Sequence, residues 1–205
     1  MSAETAQYLR SHELLSRDNS LLVVVDIQEK LLPAIPVRDA LIVNCRMLLA
    51  GAKLLQVPTS ATEQYPRGLG PTVPEIQQLL TAPVADKLRF SCAECLRWPT
   101  AAEREDHRWQ VVLCGMEAHV CVLQTALDLL AAGYRVYIPA DAVASRRKLD
   151  WKIALERMSS AGATITTTES VLFEWCEVSG TPEFKEVSRL IKERDQHVAA
   201  RPATA

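Results

Sequence analysis

Leu21-Leu22-Val23-Val24-Val25-Asp26 carries the first structural signal in this chain. Its five apolar residues run without interruption, and three of them are β-branched. An unbroken apolar run of this kind, closed by a charge, reads as a strand buried on both faces, as in a parallel sheet. Downstream, Pro33 and Pro36 break the chain. Residues 39–55 then place Leu41, Ile42, Cys45, Leu48, Leu49 and Ala52 at helical spacing, with Asp39 as a first-turn acid.

The alternation continues. Residues 57–61 read as a second strand running into the polar turn Thr62-Glu63-Gln64-Tyr65-Pro66, and residues 74–80 as a short helix. Val84-Ala85-Asp86-Lys87 is a weak strand ending in charge, and Val111-Val112-Leu113-Cys114-Gly115 a clear one. A helix over 118–130 stops at Gly133. A strand at 136–139, a helix at 149–161 closed by Gly162, and a last strand at 163–166 follow. Beyond them the pattern is helical, with Phe184, Val187, Leu190 and Ile191 on one stripe. Strands alternating with helices predict an α/β fold: a mainly parallel sheet of about six strands with helices on both faces.

The chain has 205 residues, enough for one domain. We place that domain at 21–196, after a polar, partly helical N-terminal extension (1–20) and before a disordered tail (197–205). A net charge of −2 gives no electrostatic reason to expect nucleic acid or an anionic membrane as partner. The six cysteines form no framework, which points to a reducing, cytoplasmic setting. No secretory leader is visible in the first twenty residues, and no apolar run reaches the roughly 18 residues of a membrane span.

In an open parallel sheet, ligands bind beyond the C-terminal ends of the strands. Asp26 and Gln28 lie at the end of the first strand, Glu63, Gln64 and Tyr65 at the second, Lys87 at the third. The helix after the fourth opens with His119 and Cys121. An acid, a lysine and a cysteine therefore gather at one sheet edge. A helix N-terminus and a nearby cation lower a thiol pKa, so Cys121 is the candidate nucleophile. Asp26 can take the thiol proton and return it to a leaving group. Lys87 supports both, since an opposite charge favours a carboxylate's ionised form. Backbone N–H groups of the first helical turn, from Glu117, Ala118, Val120 and Cys121, are candidate oxyanion donors. Gln28, Glu63, Gln64, Tyr65 and His119 are candidate pocket residues. Each has an ordinary alternative: a core cysteine, a capping aspartate, a solvated lysine.

Gly115-Met116-Glu117-Ala118-His119-Val120-Cys121-Val122, with Thr125-Ala126 downstream, closely resembles the nucleophile segment of the isochorismatase-like cysteine hydrolases. Asp26 in Val-Val-Asp-Ile-Gln matches that family's catalytic aspartate, and Lys87 in Asp-Lys-Leu-Arg-Phe-Ser its catalytic lysine. Thr62-Glu63-Gln64-Tyr65-Pro66-Arg67-Gly68-Leu69-Gly70 is similar to the branch holding the animal isochorismatase domain-containing proteins. The resemblance implies a Rossmann-like three-layer fold and attack by Cys121 on a small amide or carbamoyl carbon through a thioester. It also implies a cis peptide at Met116–Glu117 and a homo-oligomer. Where nicotinamidases carry aspartate this chain has His119, and none of its four histidines lies near Thr62–Tyr65. Neither a metal nor another cofactor is therefore expected, and the partner is a small-molecule substrate. True isochorismatases lack the nucleophilic cysteine, so Cys121 argues against vinyl-ether cleavage. Two other functions remain open: a catalytically silent binding or regulatory protein, and a thiol redox sensor. Cys92-Ala93-Glu94-Cys95 is a C-x-x-C pair, but with no second pair for zinc it reads as structural.

Overall fold

A computed structural model describes residues 8–199. Among these residues, seven strands form one sheet: β1 (Ser20–Val25), β2 (Thr59–Gln64), β3 (Ala85–Lys87), β4 (Gln110–Met116), β5 (Arg135–Pro139), β6 (Val143–Ala144) and β7 (Thr164–Thr166). The order is β3-β2-β1-β4-β5-β7, with the two-residue β6 paired to the end of β4. Every pairing is parallel. The helices are α1 (Arg38–Leu54), α2 (Pro66–Leu69), α3 (Pro74–Gln77), α4 (Ala93–Leu96), α5 (Leu123–Ala131), α6 (Lys148–Ser160), α7 (Thr168–Cys176) and α8 (Pro182–Ala199). The result is the mostly parallel three-layer α/β architecture that the alternation implies.

All six residues of β1 are buried, as the apolar run requires. Successive side chains of a strand point to opposite faces, and β1 feeds two cores. Leu22 and Val24 join the side covered by α1, α3, α7 and α8. Leu21, Val23 and Val25 join the side covered by α5 and α6. The strand order runs outward in opposite directions from β1 and β4, and such a reversal opens a crevice at the strand ends. Val25 pairs with Thr62 on one side and Gly115 on the other. Gly115 has φ +118, and a Cβ there would stand 2.1 Å from the Val25 carbonyl oxygen. Only glycine lets the two backbones meet this closely.

Several expectations are corrected. The second strand starts later and runs further than residues 57–61, so Thr62, Glu63 and Gln64 belong to β2 and not to a turn. The sheet gains β6, which is too short to leave a periodic signal. The N-terminal segment from residue 8 to β1 makes turns and no helix. Side chains elsewhere hold its backbone instead: Gln110 Oε1 accepts from Ser16 N–H at 2.8 Å, and Glu174 Oε2 from Leu15 N–H at 2.8 Å. The stripe on α8 packs on its own domain, with Val187 and Ile191 in the core and Phe184 and Leu190 against it. Helix α8 continues to Ala199. Residues 1–7 of the expected extension and 200–205 of the expected tail lie outside the described residues. No helix among the described residues is long and apolar enough to cross a membrane.

Candidate active site

Asp26 follows β1 directly, in the left-handed region at φ 51. Its N–H donates to the Thr62 carbonyl at 3.1 Å, and its own carbonyl accepts from Gln28 N–H at 2.9 Å. This tight turn holds a fully buried carboxylate below the strand ends. Thr62 Oγ1 donates to Asp26 Oδ1 at 2.7 Å, and Lys87 Nζ donates to Oδ2 at 2.7 Å. Lys87 is 7% exposed. Its ammonium also donates to Gln64 Oε1 at 2.7 Å and to the Phe90 carbonyl at 3.0 Å. Burial pulls the lysine pKa down, but the charge of Asp26 and the hydrogen bond to it act the other way, and the net direction is upward. Lys87 is therefore a buried cation, paired and hydrogen-bonded as such a charge must be.

The third element arrives from β4. The Met116–Glu117 peptide is cis, at the position the resemblance implies. The next turn, Ala118–Val122, is π-helical, with Val122 N–H donating to the Glu117 carbonyl at 3.2 Å. Such turns recur at functional sites. This turn carries Cys121, which is 6% exposed and close enough to Asp26 and Lys87 for both charges to act on its thiol. Thr125 Oγ1, one turn on, donates to the Cys121 carbonyl at 2.7 Å. The three residues read from the sequence thus meet in one buried cluster.

The electrostatics of the thiol differ from expectation. Its pKa is pushed up to about 12, first by burial and then by the Asp26 charge, with Lys87 offsetting only part. Lys87 is already neutralised by Asp26, so it cannot act as a free cation toward the sulfur. At rest Cys121 is a protonated thiol beside the Asp26 carboxylate.

The other candidates divide. Val120 N–H donates to the Glu117 carbonyl at 3.0 Å, which removes it from the oxyanion donors. Gln28 is fully buried, and its carboxamide joins Gln64 N–H, the Gln64 carbonyl and the Gly70 carbonyl at 2.8, 3.0 and 2.7 Å. Glu63 Oε1 accepts from Thr72 N–H and Oγ1 at 2.6 and 2.7 Å. Gln64 positions Lys87 and donates to the Leu88 carbonyl at 2.8 Å. These three side chains are held by hydrogen bonds within the protein. The Tyr65 ring lies over Gly68, where a Cβ would come within 2.3 Å of it. His119 lies partly buried on the turn that carries Cys121, its Nδ1 3.0 Å from Ser145 Oγ. A cavity of about 440 Å³ opens beyond Ser145, between the start of α1 and the start of α6. Asp26, Lys87 and Cys121 do not line it.

Sequence reading missed two members of the cluster, Thr62 and Cys92. Cys92 Sγ lies 3.3 Å from Thr62 Oγ1. Its N–H donates to Thr125 Oγ1 at 2.9 Å, so one threonine ties Cys92 to the turn that carries Cys121. Once β2 is extended to Gln64, alternation puts Thr62 and Gln64 on one face, the signal that would have exposed the first.

Comparison with known proteins agrees with this fold. The isochorismatase domain model matches residues 20–170. Isochorismatase domain-containing protein 2A of Mus musculus is 40% identical over 179 residues, covering 86% of this chain and 84% of that protein. The secreted isochorismatase effector Isc1 of Phytophthora sojae is 43% identical over 181 residues, covering 85% of each. Among solved structures, the MAR1 ribonuclease of Caenorhabditis elegans superposes with a TM-score of 0.79 at 40% identity, over 87% of this chain and 92% of that one.

Proposed function

The chain belongs to the isochorismatase family, and from that premise we propose that it is a metal-independent cysteine hydrolase cleaving a small amide or carbamoyl C–N bond. The observation that carries this reading is the burial of the Cys121 thiol within electrostatic reach of a carboxylate whose two oxygens are already fixed by Thr62 and Lys87. A carboxylate held this way has little freedom except to exchange a proton with the sulfur.

A thiol with a pKa near 12 is not pre-ionised, so its proton passes to Asp26 as the sulfur attacks the carbonyl carbon. The resulting oxyanion is received by N–H groups of Glu117, Ala118 and Cys121. Asp26 then protonates the departing nitrogen, leaving a thioester on Cys121. Water, deprotonated by Asp26, attacks the thioester and releases the acid and the thiol. Lys87 keeps its charge throughout and balances the carboxylate. The unpaired state of all six cysteines supports a cytoplasmic setting. Homo-oligomerisation rests on the family alone, because the α8 stripe is already buried within the chain.

The test is a panel of small primary amides and carbamoyl compounds, read by nitrogen release and by intact mass for an acyl adduct. Cys121→Ala abolishes both. Asp26→Asn slows turnover by roughly 10²–10⁴-fold. The same change speeds alkylation of Cys121 by iodoacetamide, because it removes a charge that raises the thiol pKa. Undiminished nitrogen release by Cys121→Ala refutes the assignment.

A further inference from the structure

We propose that Cys92 and Cys95 form a second reactive site, a dithiol oxidised to a disulfide by peroxides, whose redox state is relayed to the Cys121 site through Thr62. The first half is independent of the hydrolase reading, and the second half rests on it.

Cys92 caps α4 and Cys95 is its third residue, so the two face each other across one turn. The Cys95 thiol donates to the Cys92 carbonyl oxygen at 3.2 Å, which sets the two cysteines side by side. Their surroundings differ. Cys92 is fully buried, whereas Cys95 is partly exposed. The neighbouring Cys92 lowers the pKa of the Cys95 thiol, and the pairing together with burial pushes Cys92 up. This is the asymmetry of an attacking sulfur with a resolving partner behind it. Cys121, by contrast, is held protonated.

The link to Asp26 follows from counting protons. The Thr62 hydroxyl has one, and it is donated to Asp26 Oδ1 at 2.7 Å. At the 3.3 Å contact with Cys92, therefore, Thr62 Oγ1 accepts and the Cys92 S–H donates. Cys92 has a single proton, and the threonine oxygen at 3.3 Å takes it. Whatever happens to that proton is felt by the hydroxyl that orients the catalytic carboxylate.

The chemistry balances with a peroxide as oxidant. The Cys95 thiol gives up its proton and its sulfur attacks a peroxide oxygen; the O–O bond breaks, and the departing oxygen takes up that proton and leaves as water or an alcohol, giving Cys95 sulfenic acid. The Cys92 sulfur attacks the Cys95 sulfur, the S–O bond breaks, and hydroxide leaves with the Cys92 proton as water. Two thiols are oxidised to one disulfide and the peroxide is reduced. An external dithiol reverses the step by exchange. In the oxidised form Thr62 Oγ1 has lost its donor.

The test titrates the full chain with hydrogen peroxide at neutral pH, followed by alkylation and peptide mass mapping. Trypsin releases residues 90–97 as one peptide containing both cysteines. The expected result is loss of two hydrogens from this peptide, reversed by dithiothreitol, while Cys121 stays alkylatable. Cys95→Ser removes the change. The Cys121 alkylation rate is then compared in oxidised and reduced protein, and a difference of about threefold to tenfold is expected, the weight of one hydrogen bond. Thr62→Val removes that difference without preventing the disulfide. Oxidation of Cys121 ahead of the pair, or sulfinic acid at Cys95 with no disulfide, overturns the site. A disulfide with no change at Cys121 overturns the relay. Neither readout needs an amide substrate, so failure of the hydrolase reading is seen separately.

Discussion

The β1–β4 seam and the β2–β3 edge of the same sheet are built on opposite principles. The seam pairs six residues in register, from Ser20 with Gln110 to Val25 with Gly115, and its side chains fill two apolar cores. The edge pairs three, ending with Gln64 beside Lys87, and its side chains hold one another by hydrogen bonds and charge. Asp26 and the turn bearing Cys121 hang from the seam, while Thr62 and Lys87 come from the edge. The contrast teaches how the cluster is assembled. Apolar packing fixes where the backbones end, and polar groups that stabilise only in combination fix the chemistry.

Lys87→Met should break the edge most severely. It leaves Asp26 buried without its ion-pair partner, at a cost of about 3–5 kcal/mol in urea unfolding. Adding Asp26→Leu should recover much of that loss, because replacing both partners removes the uncompensated charge. No recovery means that the pair is not the dominant interaction at the edge.

On the seam, Leu22→Ala should cost about 2–5 kcal/mol through the cavity it leaves. Leu22 lies four residues up the strand from Asp26, about 13 Å away. Its effect should add to that of Lys87→Met within about 0.5 kcal/mol. Strong coupling would show that seam and edge are one unit.

The smallest effect is alkaline. Cys121 is raised from 9.0 to about 12 in the folded chain, so the stability it contributes is complete below about pH 9 and declines as pH rises toward 12. Urea midpoints measured across that window should fall, and fall less in Cys121→Ala. An equal fall in both would remove the thiol as a cause.

The seam was legible in the sequence because Leu21–Val25 and Val111–Cys114 are apolar runs whose burial needs no distant information. The edge was not. Strand β3 is three residues long, with Asp86 exposed, and only its parallel pairing with β2 defines it. The trio of Asp26, Lys87 and Cys121 could be read because strand ends and a motif point to it. Thr62 and Cys92 could not, because their roles arise from contacts spanning 36 and 30 residues. The thiol pKa was expected in the wrong direction for a related reason: spacing shows that a lysine is near, but not that an aspartate already neutralises it. Gln28, Glu63 and Gln64 look like pocket residues at strand ends until their hydrogen-bond partners are known.

The alternation of β1 has a consequence for how this chain tolerates insertions and deletions. Odd and even positions of the strand serve different cores. One residue gained or lost between Ser20 and Val25 would exchange the two sets and rotate Asp26 from one side of the sheet to the other. The strand thus works as a reading frame for the active site: changes in its length are tolerated only in pairs, and even those displace the carboxylate by about 7 Å.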